Sequence, residues 1–242
     1  MVCISGILES REGGDHLKIC VLLPAYNEAN IIAKLIADIR AYGLDIIVVD
    51  DGSTDNTADI AKEARACVLT HPNNLGKGQA LRTGFQYIIS NNYDGVVIMD
   101  ADGQHLAEEI PVFLKHAQDS DTAILIGNRM HNPKNMPLVR KLTNMLTSYF
   151  ISRIIGYKIP DSQCGFRFIR TDVIKKINLS TVKYDTETEI LIEASRKNFK
   201  IQSVPIKAIY ANQKSQIQPV IDTIRFWSLI VRSLIKKSKS EF

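Results

Sequence analysis

Several things are missing from this chain, and each absence removes a class of function. No stretch keeps apolar residues together for the ~20 positions a membrane-spanning helix needs. The first twenty residues lack the charged-then-apolar order of a secretory signal. The expectation is therefore a soluble or peripheral protein. The four cysteines, Cys3, Cys20, Cys67 and Cys164, stand far apart. They form neither the paired thiolates of a zinc site nor a disulfide framework, which points to a reducing compartment. There is no Gly-x-x-x-x-Gly-Lys-Ser/Thr segment, so a P-loop nucleotidase is excluded. Nor is there a basic-aromatic motif of the kind that reads nucleic acid, and no partner of that class is expected. Repeats and low-complexity tracts are absent as well. Charge is unremarkable, at +4 over 242 residues. Much of the excess sits in the last dozen positions, where Arg232, Lys236, Lys237 and Lys239 face only Glu241. Such a tail suits an anionic membrane surface or a phosphate-bearing partner, and equally a solvated end.

What is present is a regular alternation. Apolar runs fit for buried strands cover residues 17–23, 45–49, 66–70, 96–99 and 122–126. Helical periodicity fills the gaps at 31–42, up to 65, 77–91 and 106–118. Asn27 is placed as the cap of the first helix, with Glu28 in its first turn. This alternation is the signature of a doubly wound, mostly parallel α/β sheet flanked by helices. In such sheets ligands bind beyond the carboxyl ends of the strands.

The central run, Val96 to Met99, leads straight into Asp100-Ala101-Asp102-Gly103-Gln104-His105. Residues two apart project to one side of an extended backbone, so Asp100 and Asp102 can grip a hard cation such as Mg²⁺ or Mn²⁺. Gln104 can add a neutral oxygen. An acidic turn serving only chain reversal is the plainer alternative. The second strand also ends in carboxylates, Asp50-Asp51-Gly52-Ser53-Thr54-Asp55. Helix capping explains one of these residues but not the Asp50 and Asp51 pair. Lys77, between Gly76 and Gly78 at a helix start, is either a diphosphate contact or an exposed lysine. Pro24 to Glu28, Asp50 to Ser53, Asp100 to Asp102 and Gly127-Asn128-Arg129 all follow strands, so they converge on one edge. That convergence favours a site for a metal and a diphosphate.

The second half reads differently. Residues 135–155 form a long helix with Leu138, Leu142, Met145, Leu146, Tyr149 and Phe150 on one apolar side. A strand is expected at 164–170 and short helices at 171–177 and 186–198, the last with Glu189 and Glu193 on one face. Pro205 within 201–209 marks a strand at a sheet edge. Residues 218–237 make a last helix, apolar nearly all round. It is read either as a docked or dimer-forming helix or as an interfacial membrane helix anchored by Trp227. The organisation expected is a lead-in (1–16), a catalytic domain (17–216) and a C-terminal amphipathic helix with basic tail (217–242).

The segments Val21 to Glu28, Val48 to Asp55, Leu75 to Gly78, Met99 to His105, Gly127 to Arg129 and Cys164 to Arg167, with Glu189, Val204-Pro205 and Lys214-Ser215, together resemble the family 2 glycosyltransferases of GT-A fold. The branch they resemble contains dolichyl-phosphate mannose synthase and the polyprenyl-phosphate glycosyltransferases. The resemblance covers about residues 17–230. It implies that Pro24, Tyr26, Glu28, Val49 and Asp51 hold the nucleoside of a nucleotide-sugar donor, GDP-mannose or a UDP-sugar. It implies a metal on Asp100, Asp102 and Gln104, with Ala101 beside the nucleotide. Arg129 would meet the donor sugar or its phosphates, and Lys77, Arg140 and Lys214 would contact donor or acceptor phosphates. The implied reaction is inverting transfer of a hexose to a polyprenyl or dolichyl phosphate at the cytoplasmic membrane face, by a peripheral enzyme. Transfer to a saccharide hydroxyl is the first alternative, with Asp161 or Glu189 as general base. A non-catalytic nucleotide-sugar-binding subunit is the second. A homo-oligomer or a membrane subunit would be further partners.

Overall fold

The computed structural model describes residues 17–119, 121–133, 136–181, 185–207 and 209. The expected final helix, its basic tail, Cys3 and Lys214 lie outside these residues.

Seven strands form one sheet: β1 (Ile19–Ala25), β2 (Asp45–Asp50), β3 (Cys67–Thr70), β4 (Gly95–Ile98), β5 (Ile124–Asn128), β6 (Arg167–Arg170) and β7 (Ile201–Pro205). Their order is β3-β2-β1-β4-β6-β5-β7. Pairing is parallel except around β6, which runs against both β4 and β5. The helices are α1 (Ile32–Arg40), α2 (Thr57–Glu63), α3 (Lys77–Ser90), α4 (Ile110–Asp119), α5 (Leu138–Ile155), α6 (Thr171–Lys176) and α7 (Thr186–Arg196). In β1, consecutive residues Cys20 to Leu23 are all buried. A strand covered on both faces reads as a continuous apolar run for that reason. In α1 the buried residues are Ile32, Leu35, Ile36 and Ile39, the spacing of one helical stripe.

The order of strands decides where chemistry can sit. From β1 the chain builds outward through β2 and β3, then returns to the other side of β1 with β4. The reversal between β1 and β4 opens a crevice at their carboxyl ends. Because β6 is antiparallel, the loop before it, rather than the loop after it, reaches that same edge.

Three local expectations are corrected. Asn27 does not cap α1, which begins at Ile32. Its backbone has φ +58°, and its side-chain oxygen accepts the Thr54 N–H at 2.8 Å while its own N–H donates to Ser53 Oγ at 2.9 Å. It ties the β1 loop to the β2 loop. Strand β6 is shorter than expected: Cys164 and Gly165 turn toward Asp100, and Phe166 keeps one bond to β5, its carbonyl accepting the Gly127 N–H at 2.9 Å. Strand β7 ends at Pro205, earlier than expected, and lies at a sheet edge as anticipated, where a proline removes no ladder bond. The apolar side of α5 faces outward. Leu138, Val139, Leu142, Met145, Leu146 and Tyr149 are all exposed, while Asn144, Ser148, Ile151 and Ile155 are buried. Among the described residues no helix is long and apolar enough to cross a membrane.

Gly95 lets β4 and β6 close on each other, since a Cβ built there would lie 2.5 Å from the Phe168 ring. Gly95→Ala is expected to destabilise the protein by about 1–3 kcal/mol through overpacking. Thermal denaturation checks this, as a midpoint falling by roughly 2–4 °C per kcal/mol.

Candidate active site

The turn after β4 is built around Gly103, at φ +71°, and Asp102, whose Oδ1 accepts the Gln104 N–H at 2.9 Å. This holds Asp102 at the mouth of the crevice. Asp100 lies deeper, and its backbone N–H donates to His105 Nδ1 at 3.2 Å. His105 is 3% exposed. Burial keeps its imidazole below the usual histidine range, so it is neutral at pH 7 with its proton on Nε2, directed at Cys164 Sγ 4.0 Å away. Burial in turn pushes the Cys164 thiol up to about 12, so this cysteine packs as an apolar group. Gly165 backs Asp100 directly: a Cβ there would fall 2.4 Å from Oδ2.

The Asp100 carboxylate is held by the Lys77 ammonium, which also reaches Glu187 Oε1 at 2.8 Å. Burial alone would raise the Asp100 pKa, but the Lys77 ammonium first, and Arg129 with it, hold it far below the usual range. Lys77 is raised by the same pairing, Asp100 and Glu187 outweighing its burial. On the β1 side, Glu28 is pushed up to about 7 by burial and by the charges of Asp102, Asp55 and Asp100. A half-buried carboxyl group that resists ionisation beside three aspartates lies in a pocket with excess negative charge.

The donor set suits a hard divalent cation. Asp100, Asp102 and the Gln104 side chain offer only oxygen, and among the described residues no three of His, Cys, Asp and Glu form a closed metal cage. Mg²⁺ and Mn²⁺ complete such a partial set from water and phosphate oxygens. Arg140, in the first turn of α5, donates to Gln104 Oε1 at 3.3 Å and so joins that helix to the cation loop.

Other expected site residues have other partners. Asp51 accepts from Leu75 N at 3.0 Å and Gly76 N at 2.7 Å, and pairs with His71 Nδ1 at 2.6 Å. It shapes the loop that leads to Lys77. Next to it, Asp50 Oδ1 is buried with no hydrogen-bond partner among the described residues. Pro24 and Tyr26 are half-buried, while Val49, inside β2 between β1 and β3, and Ala101 are buried. Arg129 is paired with Asp161 through Nε at 2.8 Å and Nη2 at 2.9 Å, and its own N–H also donates to Asp161. Burial would raise Asp161, but Arg129 and Asn144 hold it below the usual carboxylate range. Glu189 accepts both backbone N–H groups and both hydroxyls of Ser180 and Thr181. These donors outweigh burial and lower its pKa too. A general base needs an unengaged, proton-seeking oxygen. Asp161 and Glu189 are structural braces, and neither fits that role as it sits here.

Glu187, His105 and Gly165 belong to the site and were not singled out from the sequence as members of it. Glu187 offered a weak signal, as an acidic residue in the first turn of α7. Gly165 carried one only inside the motif Cys164 to Arg167.

The family model for glycosyl transferase family 2 matches residues 20–178, well over half of the chain. The chain belongs to this glycosyltransferase family. Among curated relatives it is 33% identical over 215 residues to the UDP-N-acetylglucosamine–dolichyl-phosphate N-acetylglucosaminyltransferase of Methanococcus voltae, covering 79% of this chain and 86% of that one. It is 30% identical over 200 residues to the polyprenol monophosphomannose synthase of Mycolicibacterium smegmatis, covering 77% and 75%. Among solved structures, glucosyl-3-phosphoglycerate synthase of Mycobacterium tuberculosis, in complex with Mn²⁺, UDP and phosphoglyceric acid, superposes with a TM-score of 0.69 at 18% identity, covering 91% of this chain and 78% of that one. At that identity the likeness shows the GT-A fold.

Two expectations follow for this glycosyltransferase. Gly165→Ala should force the Asp100 carboxylate aside and weaken Mn²⁺-dependent binding of a nucleoside diphosphate about tenfold, a change of about 1.4 kcal/mol by calorimetry. Glu28 should give stability a particular pH dependence. Its folded pKa lies above that of an unfolded glutamate, so the native state binds the extra proton and this contribution is lost as pH rises from about 4.5 toward about 7. The thermal midpoint of Glu28→Gln should therefore gain on that of the native protein between pH 5 and pH 8.

Proposed function

We propose that this glycosyltransferase moves a hexose from a nucleotide-sugar donor to a polyprenyl- or dolichyl-type phosphate, with inversion at the anomeric carbon. The observation that carries the lipid acceptor is α5. Its outer face exposes Leu138, Val139, Leu142, Met145, Leu146 and Tyr149, and the same helix sends Arg140 to Gln104 in the cation loop. A phosphate at the crevice and a hydrocarbon tail along α5 would both be matched by one helix. Contiguous exposed apolar residues beside a polar site are characteristic of lipid or protein contact. The two relatives named above support the acceptor class: their names differ in the sugar and share a polyisoprenoid phosphate.

The acid–base chemistry agrees. A phosphate monoester has a second pKa of about 6 and is substantially ionised at neutral pH. Its oxygen attacks the anomeric carbon, the bond from that carbon to the nucleoside diphosphate breaks, and no proton must be removed. A hydroxyl acceptor would need a base, and both carboxylates considered for that role brace loops instead. A divalent cation held by Asp100, Asp102 and Gln104 supplies charge stabilisation for the departing diphosphate. Lys77 and Arg140 bring positive charge to the same place, and Arg129 adds its field from behind Asp161. On the donor side, Asp50 Oδ1 is suited to accept an N–H from the base, which uracil and guanine both offer. Ile209 donates its N–H to the Gln104 carbonyl at 3.0 Å. Lys214, outside the described residues, is kept as a candidate phosphate contact on the family resemblance alone. We place the reaction at the cytoplasmic membrane face, with the protein peripheral.

The test is incubation with Mn²⁺ or Mg²⁺, a panel of nucleotide sugars and polyprenyl phosphate in detergent or vesicles, following lipid-linked sugar. Product with one donor is expected, abolished in Asp102→Ala. In Leu142→Glu/Leu146→Glu, transfer should fall about tenfold or more while donor affinity stays unchanged. Transfer to soluble saccharides with none to lipid phosphate would refute the acceptor.

A further inference from the structure

Lys77, Asp100 and Glu187 form a nearly dry triad of one cation between two anions. Their side chains are 16%, 27% and 10% exposed. They come from three elements: the first residue of α3, the loop after β4 and the first turn of α7. Asp100 is also one of the two carboxylates read above as cation ligands. The oxygen that receives the ammonium is Oδ1, while Oδ2 lies 3.9 Å from His105 Nδ1; a Cβ at Gly165 would crowd both oxygens, at 2.7 Å and 2.4 Å. Lys77 thus occupies a carboxylate oxygen that a metal on Asp100 would also use.

Two cations cannot share one carboxylate oxygen at ion-pair distance in a site with little water. Lys77 has a second anchor, however, in Glu187 Oε1. Glu187 is itself fixed in place: Arg167, 1% exposed, donates to the Glu187 carbonyl at 2.6 Å. The other nitrogens of that guanidinium hold the carbonyls of Cys164 and Ser162, in the loop that backs Asp100. One buried arginine therefore holds the backbone at Glu187 and the loop that backs Asp100.

We propose that Lys77 is a placeholder cation that neutralises Asp100 until a divalent metal arrives, and that Glu187 is the carboxylate onto which the ammonium then withdraws. The idea rests on reading Asp100 and Asp102 as the cation pair. It assigns Glu187 a role as a positioning residue, acting through Lys77. Metal affinity in the absence of nucleotide is then set by competition between the ammonium and the metal, which keeps an idle site from holding a cation tightly. A nucleoside diphosphate shifts that balance, since it brings oxygen ligands for the metal and a further anion for the lysine.

The experiment is Mn²⁺ titration of the nucleotide-free protein, reading free Mn²⁺ by electron paramagnetic resonance, with circular dichroism as the check on folding. Lys77→Met should tighten Mn²⁺ about tenfold, because it removes the competitor and leaves the anions. Glu187→Gln, which keeps the lysine and leaves it only Asp100, should weaken Mn²⁺ about tenfold. In the double variant the Glu187→Gln effect should vanish, as double-mutant coupling requires of a residue acting through Lys77. Unchanged or weaker Mn²⁺ binding in Lys77→Met would overturn the placeholder. If Lys77→Met does not fold, the Glu187→Gln result decides alone, and unchanged affinity there overturns the proposal. An equal loss from Glu187→Gln in both backgrounds would show that Glu187 attracts metal directly and overturn its role as a resting place. Absence of Mn²⁺ binding in native protein and variants alike would overturn the cation reading of Asp100 and Asp102, and this proposal with it.

Discussion

Too many carboxylates meet at one crevice, and that constraint shapes the rest of the site. Glu28 arrives from β1, Asp50 and Asp51 from β2, and Asp100 and Asp102 from β4, all at the edge where the strand order reverses. Unpaired anions at such density repel one another and resist desolvation. Each is managed differently. Asp51 is filled with donors from the loop after β3, Asp100 is neutralised by Lys77, and Glu28 stays partly protonated near neutral pH. Asp102 remains at the mouth. On the function proposed above, a divalent cation carrying a diphosphate would relieve this repulsion.

The second layer of the site is a buried polar frame. Arg129 and Asp161 form a bidentate pair, Asn144 adds a hydrogen bond to Asp161 at 2.7 Å, and Ser148 links to Ser162 through Oγ and N–H. The first half of the inward side of α5 is therefore polar because it clamps the loop at 161–162, while Ile151 and Ile155 join the core further along. Most of its remaining apolar residues are left on the outer side, exposed.

Local pattern revealed a good part of this. The apolar runs marked where each strand lies, because a sheet covered on both faces demands continuous burial. The period-3.6 stripe of Ile32, Leu35, Ile36 and Ile39 marked the buried face of α1. Carboxylates placed just after strands marked the edge that carries the site, since parallel strands with crossover helices bring such ends together. Asn27 misled, as a good capping residue whose side chain found a partner in the next loop, 27 residues away.

By itself the sequence determined the element order, the sheet class, the family and which loops meet. Tertiary structure alone decided what each charged group does there. Lys77 and Glu187 are 110 residues apart, Arg129 and Asp161 are 32 apart, and Asp51 and His71 are 20 apart. No spacing rule spans such distances. Whether a carboxylate is a ligand, a base or a brace depends on which donors the fold carries to it, and that is fixed only once the sheet has closed.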